Sequence, residues 1–105
     1  MSDASNIEGT LDVVSAEEIA GWAWDSGQPE AVIQVDIYDG ENKVATLVAG
    51  DFRQDLADAN TGNGKHGFDY ATPDSLKDGK SHTIQAKVTG TNIELSGSPK
   101  TLKVP

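Results

Sequence analysis

Cysteine is absent from this 105-residue chain, which excludes a disulfide framework and a thiolate metal site and leaves the redox compartment unread. Basic residues are scarce: eight Lys and Arg stand against 17 Asp and Glu, a formal net charge of −9. A field of that sign repels phosphate backbones and anionic lipid, so nucleic acid and membrane surfaces are disfavoured as partners. Cations, neutral sugars and basic proteins stay open. No apolar run approaches the roughly 20 residues that a bilayer span requires. Met1 to Asn6 have neither the basic nor the apolar region of an export signal. As written the chain reads as soluble with a cytoplasmic location open, and as secreted or cell-surface if it is one part of a larger protein.

Large rings are few, with two Trp, two Tyr and two Phe, and hydrophobic residues make up 36%, so the core should be thin. What the chain has in quantity is punctuation. Eleven glycines and four prolines fall between short apolar runs, the pattern of many strands joined by tight turns.

Ile7 to Val14 and Ile19 to Asp25 read as an opening hairpin about the turn Ser15-Ala16-Glu17-Glu18. Ala31 to Tyr38 alternates Ala31, Ile33, Val35 and Ile37 with Val32, Gln34, Asp36 and Tyr38, a clear period of two. Asp39-Gly40 then turns the chain into a partner strand over Lys43 to Val48. Asp51 is placed to cap a short helix, with Gln54 three residues on and Phe52, Leu56 and Ala59 at helical spacing. Further strands are expected over Gly67 to Ala71, His82 to Val88, Ile93 to Leu95 and Thr101 to Val104. The fold class is therefore all-β: an antiparallel two-sheet immunoglobulin-like sandwich of seven to eight strands with one short helical turn near residues 51–59. A flexible segment over residues 1–6 precedes a single domain over residues 7–105.

Three constellations bear on function. Trp22 and Trp24 stand two apart on one strand and project from one face, either into the core, which the scarcity of other large apolar groups favours, or outward as a platform for sugar rings. Arg53, Asp55 and His66 can converge to orient a ligand carboxylate or sugar hydroxyl. The structural alternative pins Arg53 to Asp55 or Asp36 and lays its stem over an indole. Asp25, Asp36, Asp39, Asp51, Asp55, Asp58 and Asp69 offer oxygens for a calcium ion, without an EF-hand loop among them. Catalysis finds no support: His66 and His82 lie outside HExxH, CxxC and GxSxG spacings, no nucleophile–base pair assembles, and Gly62-x-Gly64 is too short for a phosphate loop.

In order along residues 8–102, the segments GWAWD, VDIYDG, FRQDL, HGF, LKDGKSHTI and LSGSP resemble an immunoglobulin-like or fibronectin-like bacterial β-sandwich module. Such modules recur in secreted multidomain surface proteins and polysaccharide-acting enzymes. Position by position, Trp22, Trp24 and Asp25 match its opening motif, Arg53 and Asp55 its middle motif, and His66, Gly67 and Phe68 its third. The resemblance implies a non-catalytic accessory domain without a resident cofactor, whose partner is a polysaccharide or another protein domain. A structural spacer and a calcium-stabilised sandwich are the other readings, and the candidate ligand-binding residues are Trp22, Trp24, Arg53, Asp55 and His66.

Overall fold

The computed structural model describes residues 7–103, so the expected loose segment over residues 1–6 and the last strand residue, Val104, lie outside the described residues. Eight strands and one short helix follow in chain order: β1 (Ile7–Val14), β2 (Glu18–Asp25), β3 (Ile33–Asp39), β4 (Asn42–Ala49), β5 (Asp51–Phe52), α1 (Gln54–Asp58), β6 (Lys65–Ala71), β7 (Ser81–Val88) and β8 (Lys100–Lys103). They form two four-stranded antiparallel sheets, β1-β2-β6-β5 and β4-β3-β7-β8, packed as an all-β sandwich.

The alternation that marks these strands places their apolar sides between the sheets. Leu11, Ile19, Ala23 and Phe68 come from the first sheet, and Val35, Ile37, Ala49, Ile84, Ala86, Val88 and Leu102 from the second. Fully burying a Leu, Ile or Phe side chain is worth about 1.5–3 kcal/mol, so these residues carry most of the cohesion. The first turn forms where the sequence places it. Ser15 Oγ accepts the backbone N–H groups of Glu17 and Glu18, each at 3.2 Å, which reverses the chain and starts β2 at Glu18.

Three sequence expectations are corrected. Asp51 does not cap the helix: Asp51 and Phe52 form β5, and the residue at the N-cap position is Arg53, in extended conformation and without a side-chain cap. The periodicity of Phe52, Leu56 and Ala59 counted one residue that belongs to a sheet edge, and only Leu56 of α1 is buried. The tryptophans are not core. In β2 it is Ile19, Gly21, Ala23 and Asp25 that are buried, so the half-buried Trp22 and Trp24 occupy the outer face of their sheet. Their bulk suggested burial, but the pleat assigns sides by parity, and Ile19 and Ala23 hold the inner one.

The third correction concerns residues 93–95, which form no regular strand because consecutive residues serve different sheets. Leu95 donates its N–H to Ala86 of β7 at 2.9 Å, while Ser96 accepts from Leu11 N–H at 2.8 Å and donates to the Gly9 carbonyl at 3.1 Å. This segment stitches the two sheets together along one side. Ser98 extends it, its Oγ accepting the Ala86 N–H at 3.0 Å and donating to Glu94 Oε2 at 2.6 Å. On the other side the chain itself changes sheets, leaving β4 at Ala49 and entering β5 at Asp51. That switch delivers Phe52 and Arg53 to the edge of the first sheet.

Candidate functional site

On the outer face of the first sheet, the floor is made of small residues. Ala20 of β2 and Gly67 of β6 point outward there, as do Asp69 of β6 and Asp51 of β5, which pairs with Gly67. In β1 an irregularity between Leu11 and Val13 inserts Asp12 as an extra residue; Leu11 stays inside opposite Gly21 while Val13 lies outside opposite Ala20. Small floor residues flanked by larger walls leave a groove of about 300 Å³, lined by Asp12, Val13, Ala20, Asp51, Phe52, Arg53, Gly67, Phe68 and Asp69.

Arg53 spans this face. Its Nε and Nη2 donate to Asp55 Oδ1 and Oδ2 at 3.0 and 2.7 Å, and its Nη1 donates to Asp12 Oδ2 at 2.8 Å, so one guanidinium links β1 to the start of α1. The two-pronged contact with Asp55 is the geometry for which guanidinium is suited. It holds the Asp55 carboxyl below its ordinary range and raises Arg53, to which Asp12 adds. The expected partner Asp36 is elsewhere, buried on the second sheet, where it accepts the hydroxyls of Thr46 and Thr89 at 2.7 and 2.8 Å.

Phe52 forms one wall and remains 55% exposed, although it is among the largest apolar side chains available. An aromatic ring left out of a thin core and set beside charged groups is an arrangement suited to the C–H face and hydroxyls of a sugar.

Trp24 and His66 make a separate cluster. Trp24 Nε1 donates to the Pro29 carbonyl at 3.0 Å, and the indole meets the imidazole at 6.1 Å between centroids, tilted by 49°. His66 is fully buried and neither ring nitrogen has a partner that satisfies hydrogen-bond geometry. Burial pushes its pKa below 6.5; the nearby Pro29 carbonyl opposes this without reversing it. His66 therefore acts as a packed ring and does not join Arg53 and Asp55. Of the five expected residues, Arg53 lines the groove, Asp55 holds Arg53, Trp22 lies on the same sheet face opposite Gly67, and Trp24 and His66 pack against the connection that follows β2.

Three groove residues had another place in the sequence reading: Asp51 and Asp69 as calcium oxygens and Phe52 as a helix residue. Asp12 had none. It lies 41 residues from Arg53, and no local pattern connects the two. Among the described residues no group of three or more His, Asp or Glu side chains is placed to hold a metal ion. The carboxylates expected as calcium ligands are in part engaged otherwise: Asp25 accepts the Gly27 N–H, Asp58 accepts from Gln54, and Asp39 contacts His82. None of the described helices is long and apolar enough to cross a membrane. Compared with protein-family models, curated proteins and solved structures, the chain matches none.

Proposed function

We propose that this immunoglobulin-like sandwich is a non-catalytic accessory module that binds carbohydrate through the groove on the β1-β2-β6-β5 face, as part of a secreted or cell-surface protein. The strand order, β1-β2-β6-β5 facing β4-β3-β7-β8, supports the immunoglobulin-like reading. The observation that carries the function is the half-exposed Phe52 ring beside Arg53, Asp12, Asp51 and Asp69 in one groove. Its volume of about 300 Å³ falls at the lower end of the range for small-molecule sites, roughly 300–1,000 Å³. The non-catalytic reading rests on the histidines, the residues best suited to proton transfer near neutral pH. His66 is sealed in the interior and His82 is held between Asp39 and Asp78 at 2.8 and 2.9 Å.

Isothermal titration against a polysaccharide panel tests this. At least one glycan should give heat, and Phe52→Ala should weaken its binding by about fivefold or more, the loss of roughly 1 kcal/mol of ring contact. Trp24→Phe should leave it unchanged. Heat that survives Phe52→Ala and disappears with Trp22→Ala would transfer the site from the groove to the indole face.

A second reading, a spacer that docks on another copy of itself, is favoured by Val48, 56% exposed on β4, and Val32, 49% exposed nearby. Strand β4 is an outer strand of its sheet, and an edge with apolar side chains is a template for pairing. This reading predicts a silent glycan panel and a concentration-dependent mass in sedimentation that Val48→Lys abolishes.

A further inference from the structure

The groove carries a charge asymmetry that narrows its ligand. Arg53 is its one cationic wall and its charge is already balanced, Nη1 against Asp12 and Nε and Nη2 against Asp55. The carboxylate of Asp51 lines the same groove with no hydrogen-bond or ion-pair partner of its own among the described residues. Asp69 lines it as well, with the carboxyl of Glu18 diagonal to it on the same face. The register Glu18↔Ala71 and Ala20↔Asp69 makes Glu18 and Asp69 diagonal neighbours on the outer face, and contact with the Asp69 carboxyl raises the Glu18 pKa. Lys65, the first residue of β6, is the register partner of Phe52 but does not line the groove. One wall is thus an aromatic ring and the other is carboxylate in excess of cation.

Resting on the carbohydrate reading above, we infer that the groove selects glycans bearing a free amine: the sugar's C–H face lies on Phe52 and its ammonium is held between Asp51 and Asp69. An ammonium offsets the crowding of Asp69 against Glu18 and meets the carboxylate of Asp51. A uronate or sulfated sugar brings a like charge into the same space and is rejected. An N-acetylated sugar keeps the ring contact and loses the ionic one.

The test is isothermal titration with three tetrasaccharides, of glucosamine, N-acetylglucosamine and galacturonate, at about pH 5.5, where ordinary carboxylates are ionised. The glucosamine tetramer should bind at least about tenfold tighter than its acetylated counterpart, with a margin that shrinks as ionic strength rises, and the galacturonate tetramer should give no heat. Asp51→Asn combined with Asp69→Asn, both at exposed positions and close in shape to the native side chains, should reduce that margin to about threefold or less, which would mark it as electrostatic. The acetylated tetramer should lose much less affinity in the double variant than the glucosamine tetramer does, and thermal unfolding of the double variant matching the native chain reports an intact fold. Equal or tighter binding of the acetylated or galacturonate tetramer overturns the inference and leaves the carbohydrate reading standing. Silence from every sugar, here and across the polysaccharide panel, overturns both. Tetralysine binding as tightly as the glucosamine tetramer, with no loss on Phe52→Ala, assigns the groove to basic peptides and overturns the inference.

Discussion

The stem of Arg53 lies directly over Gly67. A methyl group on Gly67 would sit 2.7 Å from Arg53 Cδ and 2.9 Å from its Cγ, with the Asp51 carbonyl oxygen at 3.2 Å. The glycine of the HGF segment and the arginine of the FRQDL segment are therefore one device. Absence of a side chain at one position is the path by which the guanidinium at the other reaches Asp12.

That coupling has a measurable form. Gly67→Ala should cost about 1–3 kcal/mol, the range for overpacking, because either the Arg53 stem or β5 must move. In an Arg53→Ala background the same change should cost much less, since the obstructed atoms are gone. Denaturant titration of the two single variants and the double variant measures the coupling, expected at about 0.5–3 kcal/mol for groups in contact. Equal costs in both backgrounds would show that Gly67 is needed for the strand and not for Arg53.

Gly62 holds the other cluster apart. It has φ of +55°, and a Cβ there would meet the Pro29 carbonyl at 2.4 Å, His66 Nε2 at 2.5 Å and Trp24 Nε1 at 2.8 Å. Gly62→Ala should destabilise by more than about 2 kcal/mol, combining a left-handed backbone with a collision against buried groups. Gly40→Ala isolates the first of these, having φ of +61° and nothing within 4 Å of the added carbon, and should cost about 1 kcal/mol. Thermal unfolding of the two variants compares them; a similar loss in both would mean that the Trp24 and His66 cluster yields easily.

The two histidines pull stability in opposite directions with pH. Contact with Asp78, and secondarily with Asp39, raises His82 above 6.5, outweighing its partial burial. Its stabilisation is complete below about pH 6.5 and is lost as pH rises through the raised value. Burial lowers His66, so its contribution is complete above about pH 6.5 and is lost as pH falls through the lowered value. Stability should therefore peak near the ordinary histidine value. His82→Gln should flatten the alkaline limb and His66→Phe the acid limb above about pH 4, below which Asp55 and Asp78, both held low by their partners, also take up protons. Urea unfolding across pH reads this directly, and an alkaline limb unchanged in His82→Gln would remove His82 from the account.

Asp36 is the buried polar centre of the second sheet. Its Oδ1 accepts both threonine hydroxyls, Thr46 from β4 and Thr89 from just beyond β7, and Lys43 Nζ approaches Oδ2 at 4.0 Å. Thr46→Val and Thr89→Val should each cost about 1–3 kcal/mol, because each leaves a buried oxygen less satisfied at nearly unchanged shape. Chemical denaturation measures both, and a change below about 0.5 kcal/mol, typical of an ordinary surface substitution, would show that water replaces the lost donor.

The sequence by itself determined the sandwich and most of its strands. Parity over Ile33 to Ile37 and over Ile84 to Val88 separates each strand into two faces, and the Ser15 and Asp39-Gly40 turns set where β2 and β4 begin. These are local properties, carried by the pleat and by side chains bonding to backbone two or three residues away. The arginine and aspartate of FRQDL were legible as a pair because two residues separate them.

Tertiary structure decided the rest. Parity cannot say which side of β2 meets the other sheet, and only the packing of Ile19 and Ala23 against β3 and β7 residues turned Trp22 and Trp24 outward. Phe52 looked like the first turn of a helix until the switch from β4 to β5 placed it on a sheet edge. Asp12 became a partner of Arg53 across 41 residues because an extra residue in β1 and a missing side chain at Gly67 met on one face. Such a groove depends on the register of four strands drawn from distant parts of the chain, and register is set by burial across the whole sheet, which no single segment contains.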